Sequence, residues 1–147
     1  MKKQKKLFIL HIDYVKKFKA LKEEYSQENS VFKYTASFSD NLAFVFMTDY
    51  VKEKFKAENN YLKAPDEFIA QMRLPGKRKL TNSNSLSKEK KGSINVNVPI
   101  ETIINYINII YSWNNTNQTK YNSTTSFFYQ FIDIIENSKL EFLKFKN

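Results

Sequence analysis

Few residues in this chain have types and positions suited to chemistry: Asp13, Asp40, one histidine, His11, and a large excess of lysine. Asp13 follows the apolar run Leu7–Ile12 (LFILHI), and Asp40 lies in Ser39-Asp40-Asn41, between two runs rich in aromatic and β-branched residues. Two carboxylates meeting at one sheet edge supply hard oxygen ligands that suit Mg²⁺ held with substrate phosphates. The local alternative makes Asp13 a helix N-cap and Asp40 a turn former. His11 stands inside an apolar run, where a satisfied core or edge histidine is the simpler reading. With no cysteine and no second histidine, thiolate sites, zinc sets and a Ser-His-Asp arrangement lack their residues. Two glycines leave neither GxxxxGK[ST] nor GxGxxG. The expectation is a protein that is not an enzyme and takes no cofactor, with Mg²⁺ entering only if the two aspartates pair.

Lysine placement says more than the net charge of +9. Residues 1–91 hold 20 Lys/Arg and 11 acids, whereas residues 92–147 hold 4 of each. The first part therefore suits a polyanion and the second is neutral. Two clusters are candidate contacts to nucleic acid or a partner. Lys16, Lys17, Lys19 and Lys22 fall on the outer side of an amphipathic helix whose inner side is Val15, Phe18, Leu21 and Tyr25. Arg73, Lys77, Arg78, Lys79, Lys88, Lys90 and Lys91 lie in or beside Gly76–Gly92 (GKRKLTNSNSLSKEKKG), which lacks periodicity and is expected to be an exposed, mobile basic loop. The bland alternative for that loop is a solvated connector.

These residues need elements to position them. LFILHI is a strand or the start of a helix, and a strand is favoured because Asp13 would cap a helix beginning just after it. Val31–Thr48 (VFKYTASFSDNLAFVFMT) reads as a β-hairpin turning at Ser39-Asp40-Asn41, with Leu42–Met47 a central strand buried on both faces. A second helix starts at Thr48 or Asp49 with Tyr50, Val51 and Phe55 inward, and a third begins at Pro65 with Phe68, Ile69 and Met72. Ser93–Val98 (SINVNV) alternates like an edge strand. Pro99 opens an isoleucine-rich helix, residues 114–125 form a polar link, and Phe127–Phe145 is a last helix with Phe128, Phe131, Ile132, Ile135, Leu140 and Leu143 inward. The expected fold is a single α+β domain over residues 1–147: a small antiparallel sheet with a βαββα core, packed with helices, and a C-terminal helical pair over 99–147. The basic start MKKQKK and its short apolar run fall short of a signal peptide or a membrane span, so a cytoplasmic protein without membrane contact is expected. The sequons at Asn114, Asn117 and Asn122 are then by-products of an Asn-rich stretch.

LFILHID, a helix carrying FKAL, and FSDNLAFVF together resemble the start of bacterial nucleotide-cyclase-like palm domains, over about residues 7–48. That resemblance implies a metal-binding Asp after the first strand and another in the hairpin, at the positions of Asp13 and Asp40. The family's later Arg-Gly segment has no counterpart, since the only arginines are Arg73 and Arg78. LFILHI and NLAFVFM also resemble the first- and third-strand signatures of the RNA-recognition motif, which would put Phe8, Phe44 and Phe46 on a base-stacking face. The favoured function is non-catalytic binding to nucleic acid or to a nucleoprotein enzyme. Its most concrete form is a mobile-element inhibitor of a CRISPR nuclease, an anti-CRISPR-like protein. The alternatives are a degenerate or truncated cyclase or palm-type nucleotidyl transferase, and a plain RNA- or DNA-binding module.

Overall fold

The computed structural model of the protein describes residues 2–29, 38–73 and 90–146. Among the described residues its sheet is a two-stranded antiparallel ribbon of β1 (Lys3–His11) and β2 (Lys91–Pro99), with Lys3 opposite Pro99 and His11 opposite Lys91. Strand alternation sorts the side chains by face. Phe8 and Leu10 from β1, and Ile94, Val96 and Val98 from β2, are buried, while Lys3, Lys5, Ser93, Asn95 and Asn97 are exposed. β1 thus begins at Lys3 rather than Leu7, since lysines at alternate positions leave the buried set intact.

β1 runs straight into α1 (Ile12–Glu28), whose Val15, Phe18, Leu21 and Tyr25 are buried as their spacing predicts. The cap is His11, not Asp13: Nδ1 of His11 accepts the Asp13 backbone N–H at 3.1 Å. α1 closes on β2 over Gly92. A Cβ there would lie 2.8 Å from both Ile12 Cδ1 and Val15 Cγ2, so the helix approaches this closely because the residue has no side chain.

The predicted strand at Leu42–Met47 lies instead in the first half of a helix, α2 (Asp40–Ala57). Ser39 is its N-cap, Oγ accepting the Leu42 N–H at 3.2 Å, and Asp40 lies in its first turn. The same Ser-Asp-Asn that suits a turn suits a helix start. Ala43, Phe44, Met47, Thr48, Val51 and Phe55 are all buried and recur at helical spacing. Tertiary burial of that stripe overrides the β preference of Phe and Val. The other arm of the expected hairpin, residues 31–37, lies outside the described residues. The second strand of the sheet comes from residues 91–99, so the βαββα core is corrected while the α+β class stands.

The chain turns at Glu58 and Asn59, the latter at φ 60°, and residues 60–65 lead outside helix and strand to α3 (Asp66–Arg73). They are clipped to α4 (Ile100–Asn117): Asn108 Oδ1 accepts from Ala64 N at 2.8 Å, and Ser112 Oγ accepts from Leu62 N at 2.7 Å. Polar side chains on the apolar face of α4 thereby satisfy buried backbone groups. α4 continues into the expected polar link and stops at Gln118, in the left-handed conformation. The predicted helix over Phe127–Phe145 divides into α5 (Thr124–Asn137) and α6 (Lys139–Leu143) at Ser138. The break shifts the inward face, so Phe142 is buried while Leu140 is 75% exposed. The described chain is thus α+β, with six helices packed on one side of the ribbon.

An aromatic cluster joins ribbon to helices. Phe8 lies 4.5 Å from Phe128 and 5.6 Å from Phe44, and Tyr106 lies 5.3 Å from Phe44 and 5.1 Å from Phe131, between ring centroids. Tyr106 donates its hydroxyl to the Thr124 carbonyl at 2.7 Å, and its burial pushes the phenol pKa well above the ordinary value.

Candidate nucleic-acid interface

The two candidate metal ligands have separate partners. Asp40 accepts hydrogen bonds from Lys19 and Lys22, the latter at 2.8 Å. Partial burial pushes the Asp40 carboxyl up, but the hydrogen bonds and charges of the two lysines outweigh it and hold the group below the usual carboxylate range. Asp13 is exposed and faces His11 Nδ1 at 3.5 Å. A metal at Asp40 would have to displace two ammonium groups. Among the described residues no cluster of three or more His, Cys, Asp or Glu is arranged to hold a metal ion.

The predicted basic face of α1 is largely neutralised by its own neighbours. Lys19 and Lys22 are taken by Asp40, and Lys17 lies 3.5 Å from Glu136 and 4.4 Å from the Tyr14 ring centroid. Lys16 alone of the four is exposed without an ion-pair partner among the described residues. Arg73 is exposed at the end of α3, beside an open cleft of about 510 Å³ lined by Gln4, Asp66, Ile69 and Ala70. Lys77, Arg78, Lys79 and Lys88 lie outside the described residues, as does most of the Gly76–Gly92 segment. Lys90 and Lys91 stand at the head of β2.

A basic surface that sequence reasoning missed lies on the outward side of the ribbon. Lys3 and Lys5 project there from one end and Lys91 from the other, with Lys2 and Lys90 beside them. None has an ion-pair partner among the described residues. Between them lie Leu7, opposite Asn95, and Ile9, opposite Ser93, while Asn97 faces Lys5. Leu7 is 40% and Ile9 39% exposed. The outward positions 3, 5, 7, 9, 93, 95 and 97 hold no carboxylate. The ribbon also has an inward lysine, Lys6, whose partial burial lowers its ammonium pKa. The readable signal is the alternation of MKKQKKLFIL, in which lysines 3 and 5 share a face with Leu7 and Ile9.

The base-stacking expectation does not survive the packing. Phe8 and Phe44 are fully buried, and Phe46 packs on Tyr25 and Phe38 with centroids 5.6 Å away in each case. Among the described residues no helix is long and apolar enough to cross a membrane.

No protein-family model, curated protein or solved structure matches this chain.

Proposed function

We propose that the protein is a non-catalytic binder of a phosphate-bearing partner, either nucleic acid itself or a nucleoprotein enzyme, and that the outward face of the ribbon is where phosphates dock. One observation carries this reading: Lys17, Lys19 and Lys22 of α1 pair with acids of the chain, whereas Lys3 and Lys5 stand exposed and Lys91 half-exposed, without ion partners among the described residues, on a ribbon face whose positions 3, 5, 7, 9, 93, 95 and 97 hold no carboxylate. Each phosphate neutralised by such a lysine releases counterions, which is the main source of affinity for a polyanion. The narrowest form of the proposal is a cytoplasmic inhibitor of a CRISPR nuclease, acting on its nucleic-acid-handling surface. Its small size, its basic first part and the separate partners of Asp13 and Asp40 support that form over a palm-type enzyme. Binding of the full chain to nucleic acid, monitored by fluorescence anisotropy, tests it. Affinity should fall when Lys3, Lys5 and Lys91 are changed together to Gln, and unchanged affinity counts against it.

A further inference from the structure

We propose, resting on the reading above, that the ribbon face reads duplex DNA, lying in the major groove with Asn95 and Asn97 against base edges and the lysines at its two ends on phosphates. The major groove of B-DNA, about 12 Å wide, admits a two-stranded β-ribbon. The register puts eight residue steps between Lys3 and His11, the partner of Lys91, so the terminal lysines stand about 27 Å apart at ~3.4 Å per residue. That is most of one DNA turn of about 34 Å.

The side chains between the lysines match that groove. The exposed side-chain amides of Asn95 and Asn97 make no hydrogen bond among the described residues, while the Asn97 backbone N–H donates to Asn41 Oδ1 at 2.8 Å. A free asparagine amide pairs bidentately with adenine N6 and N7. Ser93 serves as donor or acceptor, and Leu7 and Ile9, exposed beside them, suit thymine methyl groups. Other occupants fit less well. A single strand needs aromatic stacking platforms, and outward positions 3, 5, 7, 9, 93, 95 and 97 carry no ring. The deep, narrow major groove of A-form RNA does not admit side chains for reading. A second copy of the chain would set Lys3, Lys5 and Lys91 against the same lysines. The acids nearest the two strands in sequence, Asp13, Glu89 and Glu101, all lie outside Lys3–His11 and Lys91–Pro99.

The test is selection of the full chain on a randomised double-stranded DNA library, then affinities for the selected and a shuffled duplex. The wild type should enrich an adenine-containing motif. Asn95→Ala and Asn97→Ala should each erode preference for that motif by about 5- to 150-fold, the range of one bidentate contact. Both variants should keep the wild-type affinity for the shuffled duplex and the same salt dependence. No enriched motif, a preference untouched by both variants, or tighter binding to single-stranded RNA than to duplex DNA overturns the proposal. In those cases, loss of affinity on neutralising the lysines would still support phosphate binding, so the two readings fail separately.

Discussion

Truncating Phe44 to alanine, set beside the same change at Phe46, distinguishes the helix from a strand at residues 42–47. The ring is fully buried, with Phe8, Tyr106, Phe128 and Phe131 at centroid distances of 5.6, 5.3, 6.3 and 5.9 Å. Those neighbours come from β1, α4 and α5, so the cavity would open where sheet and helices meet. Truncating a buried Phe costs about 3–5 kcal/mol. At roughly 2–4 °C per kcal/mol for a chain of this size, the midpoint should fall by about 6–20 °C. Phe46→Ala should cost less, because Phe46 is only partly buried and points about 200° around the helix from Phe44 at 100° per residue. In a strand those two residues would share a face. Thermal unfolding monitored by circular dichroism measures both. An unchanged midpoint for Phe44→Ala would refute the packing and return that ring to a stacking surface.

Asp40→Asn should destabilise the protein at neutral pH by about 1 kcal/mol, from weak ion pairs to Lys19 and Lys22 and the position in the first turn of α2. Because the folded carboxyl titrates below its unfolded value, that stability is present above about pH 4 and is lost as pH falls through the lowered folded pKa. Denaturant melts should show the gap between wild type and variant closing toward pH 2, and a gap independent of pH contradicts the ion-pair account. Gly92→Ala places a Cβ 2.8 Å from Ile12 Cδ1 and Val15 Cγ2 and should cost about 1–3 kcal/mol by overpacking. A raised melting midpoint would mean that α1 does not close on β2 at this point.

Local pattern reveals much of the fold, because several elements announce themselves by periodicity. Val15, Phe18, Leu21 and Tyr25 mark α1, the alternation of Ile94, Val96 and Val98 marks β2, and Pro65 with Asp66 and Glu67 marks the start of α3. Leu42–Met47 reads as a strand because Phe and Val favour strands, while the helical stripe is plain only when traced on to Val51 and Phe55. The pairing of β1 with β2 spans three helices among the described residues, and no local signal sets it. The site is hidden for related reasons. Lys17, Lys19 and Lys22 of α1 look free in the sequence because Asp40 and Glu136, which neutralise them, come from elsewhere in the chain. Lys3 and Lys5 look like a charged leader until the strand that includes them gives them a face.

A salt titration of affinity for duplex DNA, comparing the wild type with the Lys3→Gln, Lys5→Gln, Lys91→Gln triple variant, tests the ribbon interface most directly. Log affinity falls with log salt by about 0.9 per phosphate neutralised, so three lost contacts should flatten the slope by roughly 2.7. The three side chains are at least partly exposed and have no ion partners among the described residues, so the melting curve should barely move. The account predicts weaker binding, a flatter slope and unchanged stability. Equal affinity and equal slope for the two proteins would contradict it and move the interface to Lys16 or to Lys77, Arg78, Lys79 and Lys88.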